Sequence, residues 1–325
     1  MKKLFLSLVA ATIAATASFA QNTLVATLSH GEDISMFYGI YALRDAMNAA
    51  ASGDVINLSG GAFQAVDITK GIIMRGTGID DASPTYINGN FTINVASDDA
   101  NRLSMEGIRC NGSISMEGSF NSPYFVKSAF SSFLCTYNSI IKNIVFANCK
   151  ITNYFTLRGA STVQFINSYV SSFSNTSETT SAADFINCVI YGNYADYIKS
   201  SQLVNCIISC KNYYLPSTSM ASNCVSIEND IIFNNLVNIS NCSFSTYVEM
   251  FKSFTGSYSD NQTFELTDAA KTKYLGTDGT EVGMHGGALP YDTTPSYPQI
   301  TKMNVASKTT ADGKLSVEIE VSAAE

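Results

Sequence analysis

The residues that could carry catalysis are few, and their positions in the chain keep them apart. His30 and His285 are the two histidines of the 325-residue sequence, and they lie in opposite terminal segments. Neither has a serine or cysteine motif beside it, whereas a nucleophilic triad needs a nucleophile, a base and an orienting acid together. The sequence therefore predicts no catalytic triad.

The eight cysteines do not form a metal-binding pattern. Zinc sites need converging ligands, often as paired Cys-x-x-Cys motifs, but most of these cysteines recur singly at intervals of 18 residues or more. Cysteines in an exported protein suggest disulfides, although equivalent side chains on stacked coils point in parallel and do not turn toward each other. We expect no metal, no cofactor and buried free thiols, and leave the state of Cys135 and Cys210 open.

Most cysteines belong to a short repeat that reads apolar, any residue, Asn, Cys or Ser, any residue, apolar. Strong copies begin at Phe146, Phe165, Phe185, Leu203, Ala221 and Ile239, and their asparagines are 18 to 20 residues apart. Weaker copies are Arg109-Cys110, Lys127-Ser128 and Asn88-Gly89. This period is too short for a helix-pair repeat and fits one coil of a β-solenoid.

The repeat also predicts which way its side chains point. The first apolar residue and the cysteine should point into the core, while the asparagine takes the left-handed bend between two strands. We expect its amide to face inward and to bond to the amide of the next coil. The predicted structural ladder comprises Asn148, Asn167, Asn187, Asn205, Asn223, Asn241, Cys149, Cys188, Cys206, Cys224 and Cys242.

The outward positions of the strong repeats lack clustered carboxylates. One outward column reads Lys150, Tyr169, Val189, Ile207, Val225 and Ser243. Asp184 stands alone in another column, where neighbouring coils place Val145, Gln164 and Gln202. Glycosidases need two close carboxylates, and polysaccharide lyases on such folds need a basic residue near calcium-binding acids. The sequence therefore predicts no catalytic residues.

Tyrosines are the candidate ligand-binding residues, since an exposed ring can stack on a sugar. The candidate glycan contacts are Tyr191, Tyr194, Tyr197, Tyr213 and Tyr214. The alternative is that these rings stack inside or along the sheets.

The ends of the chain differ from its centre. Residues 1–20 read as a signal peptide with small residues at its end. A cap spans 21–53 and includes a helix at 35–51, capped by Ser35, whose apolar face comprises Met36, Ile40, Leu43, Met47 and Ala50. The solenoid spans 54–287, a proline-containing linker spans 288–299, and a β-hairpin tail spans 300–325.

Three segments resemble a known superfamily. Residues 42–58 (ALRDAMNAAASGDVINL), 72–78 (IIMRGTG) and 277–287 (TDGTEVGMHGG) are similar to segments of secreted bacterial proteins of the pectin-lyase-like superfamily. The resemblance implies an all-β, right-handed parallel β-helix. It implies no single activity, because this superfamily includes lyases, hydrolases, epimerases and adhesins.

The net charge excludes some classes of binding partner. With 19 basic and 27 acidic residues the net charge is −8, which disfavours nucleic acid and anionic membranes. No stretch after the signal peptide has the length of a transmembrane helix. We expect a secreted, periplasmic or cell-surface protein of a Gram-negative bacterium: a non-catalytic scaffold that contacts a polysaccharide or a surface protein. The alternative is a polysaccharide lyase or glycoside hydrolase acting on a complex glycan, and the oligomeric state is left open.

Overall fold

The computed structural model describes residues 24–80, 83–95, 103–159, 161–175, 182–192, 201–210, 215, 217–305, 308–310, 312–314 and 316–322. The predicted signal peptide and four candidate tyrosines, Tyr194, Tyr197, Tyr213 and Tyr214, lie outside these ranges. The described chain is mostly β and forms a parallel β-helix, which confirms the predicted fold class.

The elements are short and follow one another at the period of the repeat. The strands are β1 (Val25–His30), β2 (Asp33–Tyr38), β3 (Val55–Leu58), β4 (Gly61–Gln64), β5 (Ile73–Arg75), β6 (Thr85–Asn88), β7 (Phe91–Ile93), β8 (Ser104–Glu106), β9 (Ile108–Met116), β10 (Ser119–Asn121), β11 (Tyr124–Val126), β12 (Ala129–Cys135), β13 (Ile140–Lys142), β14 (Ile144–Ala147), β15 (Lys150–Leu157), β16 (Thr162–Ile166), β17 (Tyr169–Ser171), β18 (Phe173–Asn175), β19 (Ala182–Ile186), β20 (Val189–Gly192), β21 (Ser201–Val204), β22 (Ile207–Cys210), β23 (Met220–Ser222), β24 (Val225–Ile227), β25 (Asn238–Ser240), β26 (Ser243–Ser245), β27 (Gln299–Val305) and β28 (Val317–Ser322). The helices are α1 (Ala42–Ala49), α2 (Tyr247–Met250) and α3 (Asp268–Lys273).

Two 12-stranded sheets form the walls of the solenoid. The first sheet has the order β2-β1-β3-β5-β8-β11-β14-β16-β19-β21-β23-β25. The second sheet follows the path β26-β24-β22-β20-β17-β15-β12-β9-β6-β4, with β18 paired to β15 and β7 paired to β9. Because successive coils pair in parallel and in register, each repeat position becomes a straight column along the solenoid.

The core consists of columns of identical or similar side chains. Phe125, Phe146, Phe165 and Phe185 stack in turn, with ring centroids 4.7, 5.1 and 5.1 Å apart. Cys149, Cys188, Cys206 and Cys224 are fully buried beside them and are free thiols, as are Cys110, Cys135 and the partly buried Cys242. Aromatic stacking and complete burial thus explain why apolar residues and cysteines occupy the inward positions of the repeat.

The coil two before the strong repeats is aligned differently from the sequence prediction. The β9–β12–β15 register places Arg109 beside Ala129, and Ala129 beside Lys150. Gly107, with φ 67°, therefore occupies the bend position that Asn148 holds two coils later. The proposed copy Arg109-Cys110 was thus wrong by two residues, because a glycine supplies the left-handed conformation there without the asparagine that marks other coils.

The N-terminal cap contains a shorter helix than the sequence prediction gave. Residues 33–38 form β2, which pairs antiparallel with β1, and the helix begins only at Ala42. Met36 and Ile40 are exposed, whereas Leu43 and Met47 pack on the first coils. Antiparallel pairing with β1 therefore determines the conformation of this segment, rather than the helical spacing of its apolar residues.

The solenoid ends earlier than the predicted residue 287. Its last coil ends with β26, and residues 246–297, here called the closing segment, return along the outside of the coils toward the N-terminal end. The tail forms the antiparallel hairpin of β27 and β28, with Gly313 (φ 79°) in its turn. No described helix is long and apolar enough to cross a membrane.

Candidate functional site

The asparagine column holds the closing segment on the outside of the solenoid. All six repeat asparagines have φ between 46° and 56°. The amide of Asn167 donates to the carbonyls of Met284 (2.8 Å) and Gly286 (2.7 Å), and that of Asn223 donates to Leu275 O (3.0 Å). The expectation of an inward-facing amide ladder was therefore wrong for these residues, because the left-handed bend turns their side chains outward onto a later part of the chain.

Glycines allow the closing segment to lie directly on the bends. An added Cβ at Gly287 would overlap Nδ2 of Asn187, and one at Gly283 would lie 2.6 Å from Cδ1 of Ile207. Both glycines have positive φ, 80° and 84°. The glycine-rich sequence at 277–287 is therefore a consequence of close docking against the coils.

The closing segment creates a second apolar core on the outer face of the second sheet. Four of the six residues of the predicted outward column lie beneath it, namely Tyr169, Val189, Ile207 and Val225. The residues that cover them include Phe251, Phe254, Phe264, Leu266, Tyr274, Val282 and Met284. These outward positions are thus apolar because a later segment buries them.

The same column becomes polar toward the N-terminal end and forms the floor of a pocket. Its residues there are Tyr86, Arg109, Ala129 and Lys150, one from each successive coil. Of these four residues, Tyr86, Arg109 and Lys150 line the pocket. The outward face of the second sheet therefore presents two basic side chains and one tyrosine to it.

Two other segments supply the walls of this pocket, whose volume is about 620 Å³. The turn before β6 and the closing segment contribute Ile79, Asp80, Pro84, Asp260, Asn261, Gln262, Thr263, Glu265, His285, Tyr291 and Thr293. Cavities that hold small ligands in proteins are of this size. The pocket combines carboxylates, amides, hydroxyls and tyrosines, which is the chemistry of a polar ligand site.

The two basic side chains of the floor are both paired and largely buried. Arg109 Nη1 lies 2.9 Å from Asp260 Oδ2, and Lys150 Nζ lies 3.5 Å from Asp80 Oδ2. The Lys150 side chain is 3% exposed. Burial lowers the pKa of Lys150, and the charge of Asp80 opposes this effect.

Several polar atoms of the pocket wall are positioned by the closing segment. His285 Nε2 lies 2.7 Å from the carbonyl oxygen of Thr263, and its ring meets Tyr291 edge to face. Tyr291 Oη and Arg109 Nε are buried without a hydrogen-bond partner in the described structure. Buried polar groups are normally satisfied, so these two atoms are exceptions to the usual pairing.

The described candidate residues chosen from the sequence, Tyr191 and Asp184, lie outside the pocket. Tyr191 is partly buried and packs edge to face on Phe254 in the second core, so it is not a free stacking surface. Asp184 lies on the first sheet between Gln164 and Gln202, as expected, and burial raises its pKa. The tyrosines that line the pocket are instead Tyr86 and Tyr291.

The sequence argument missed the pocket for two reasons. Arg109 was placed at a bend and so was not seen to share a column with Lys150. Asp80 and Asp260 come from segments outside the strong repeats, and no repeat position identifies them. The strand register aligns Lys150, Tyr169 and Val189 as the sequence predicted, and the carboxylates that line the pocket come from other segments.

Within the described ranges, no three His, Cys, Asp or Glu side chains converge as a metal-binding group. Comparisons with protein-family models, with curated proteins and with solved structures found no match.

Proposed function

We propose that this protein is an exported, non-catalytic β-helix scaffold that binds a saccharide in the pocket over Arg109 and Lys150. The single observation that carries the proposal is the composition of this pocket. A sugar needs many hydrogen-bond donors and acceptors together with an aromatic surface. The pocket supplies amides from Asn261 and Gln262 and tyrosines at positions 86 and 291.

The pairing of the two cations favours binding over catalysis. A lyase base must be free to take a proton from its substrate, whereas Lys150 is buried beside Asp80 and the carbonyl of Asp260. Arg109 is likewise engaged by the Asp260 carboxylate. Such pairs present fixed donors and acceptors to a bound molecule, and neither cation is a free base.

A glycan array followed by calorimetric titration of the positive saccharides tests the proposal. We expect Tyr86→Ala and Lys150→Met each to weaken binding about ten-fold or more, equivalent to ~1.4 kcal/mol. Tyr137→Ala is the control, because Tyr137 is an exposed tyrosine that does not line the pocket. Binding that survives both pocket substitutions would contradict the proposed site.

A second candidate function is glycoside hydrolysis or polysaccharide cleavage within the pectin-lyase-like superfamily. The observation that favours it is that Asp80, Asp260 and Glu265 all line one pocket, since glycosidases act through paired carboxylates. The test is a time course of new reducing ends and unsaturated products on the saccharides that bind. Turnover abolished by Asp80→Asn would establish this function in place of the first.

Export to the periplasm or cell surface is part of the proposal. It is supported by Lys2 and Lys3, the apolar run that follows them, and the small residues Ser18 and Ala20. N-terminal sequencing of the protein recovered from cell fractions tests it. We expect a chain beginning at Gln21 outside the cytoplasm.

A further inference from the structure

The charges of the pocket restrict the kind of saccharide that it can hold. Asp80 and Asp260 supply two negative charges and Arg109 and Lys150 supply two positive charges, while the third carboxylate, Glu265, lies 3.5 Å from Nζ of Lys252. Each cation is already paired, Arg109 with Asp260 at 2.9 Å and Lys150 with Asp80 at 3.5 Å. Among the described lining residues, therefore, an anionic ligand meets no unpaired cation.

We infer that the ligand is an uncharged saccharide, recognised through its hydroxyl groups, and not a uronic acid or sulfated sugar. This inference rests on the proposed saccharide-binding function. A hydroxyl both donates and accepts, so it can bridge the donor and the acceptor that an ion pair presents side by side. A carboxylate only accepts, and it would face the Asp80 and Asp260 carboxylates without an unpaired cation to offset them.

The exposure of the two ion pairs agrees with this choice. The side chains of Asp260 and Asp80 are 63% and 39% exposed, whereas those of their partners Arg109 and Lys150 are 12% and 3% exposed. A molecule in the pocket therefore meets carboxylate acceptors more readily than cations, and hydroxyl groups can donate to them.

The test compares oligosaccharides of equal length and linkage that differ only in carrying a hydroxymethyl group or a carboxylate on each ring. Calorimetric titration at constant ionic strength should show the neutral member binding at least about ten-fold more tightly. Equal or tighter binding of the uronate member would overturn the inference and leave the saccharide-binding function intact. Failure of every member to bind would overturn both.

Removal of one negative charge, either inside or outside the pocket, provides a sharper test. Asp80→Asn removes the partner of Lys150, so the affinity ratio of uronate to neutral saccharide should rise about ten-fold. Asp184→Asn removes the same charge from the first sheet, outside the pocket, and should leave this ratio unchanged. A ratio that is unchanged by Asp80→Asn, or equally changed by both variants, would overturn the inference.

Discussion

The side chain of Asn205 and the backbone of Thr277 are joined across 72 residues of sequence. Thr277 N donates to Asn205 Oδ1 at 2.9 Å, and Asn205 Nδ2 donates to Thr277 Oγ1 at 3.3 Å. The carbonyl of Asn205 also accepts from Gly283 N at 2.9 Å. One residue of the repeat thus forms the solenoid bend and anchors the segment that completes the pocket.

The first prediction is that Asn205→Ala strongly destabilises the fold. It removes the partners of Thr277 at a cost of about 1–3 kcal/mol. It also places alanine in a left-handed conformation, which costs roughly 1 kcal/mol more. Equilibrium denaturation measures the loss. Asn205→Gly should lose only the first contribution, because glycine tolerates φ 56°.

Asn148→Ala is the matched comparison within the same column. Asn148 has φ 53°, but its Oδ1 is buried without a hydrogen-bond partner. We therefore expect its replacement to cost less than that of Asn205. Equal losses for Asn148→Ala and Asn205→Ala would show that docking of the closing segment contributes nothing measurable.

The second prediction concerns two glycines that share a backbone conformation and differ in surroundings. Gly287 (φ 80°) would overlap Asn187 if it carried a Cβ, while an added Cβ at Gly279 (φ 79°) has nothing within 4 Å. Both alanine variants bear the left-handed cost of roughly 1 kcal/mol. Gly287→Ala should lower the free energy of unfolding by about 1–3 kcal/mol more than Gly279→Ala does, because the added methyl group overpacks the contact with Asn187. Thermal denaturation of the two proteins side by side measures this difference, and indistinguishable midpoints would refute close docking.

The third prediction is that the cysteine column remains reduced and unreactive in the native protein. Burial raises the pKa of Cys149 to about 12, so the reactive thiolate is scarce at neutral pH. A colorimetric thiol assay should detect few groups in the native state and most of the eight in denaturant without reductant. Recovery of no thiols in denaturant would mean that the cysteines are all bridged.

The fourth prediction is that Lys150 makes the free energy of unfolding depend on pH. Its folded-state pKa lies below the unfolded value of 10.5, so unfolding takes up a proton in the interval between the two values. Stability from this residue therefore rises with pH across that interval. Urea denaturation of Lys150→Met should show a flatter dependence than the parent protein as pH approaches 10.5. Parallel curves would contradict a buried ammonium at this position.

The sequence was sufficient for the features that depend on the local repeat. The alternation around Phe146 and Cys149 decides which side chains enter the core, and the period decides that coils stack. The direction of the Asn205 amide depends on Thr277, and the pocket depends on Asp80 and Asp260. None of these partners lies in the same coil, so no periodic pattern could have paired them.

The N-terminal cap also shows that a local sequence pattern cannot predict pairing with another segment. Met36, Ile40 and Leu43 have helical spacing, yet pairing of β2 with β1 places Met36 on an exposed face. Tertiary pairing therefore overrides the local pattern at this end of the chain.

One measurement tests most directly whether the closing segment and the binding pocket form one unit. Asn167 anchors the chain on both sides of His285, a pocket residue. Hydrogen exchange and saccharide titration would be performed together on Asn167→Ala, with Asn241→Ala as the control because that bend side chain is exposed. We predict faster amide exchange at residues 284–291, unchanged exchange in β12 and β15, and weaker saccharide binding for Asn167→Ala alone. Faster exchange at 284–291 with undiminished binding would contradict the account and place the binding site elsewhere.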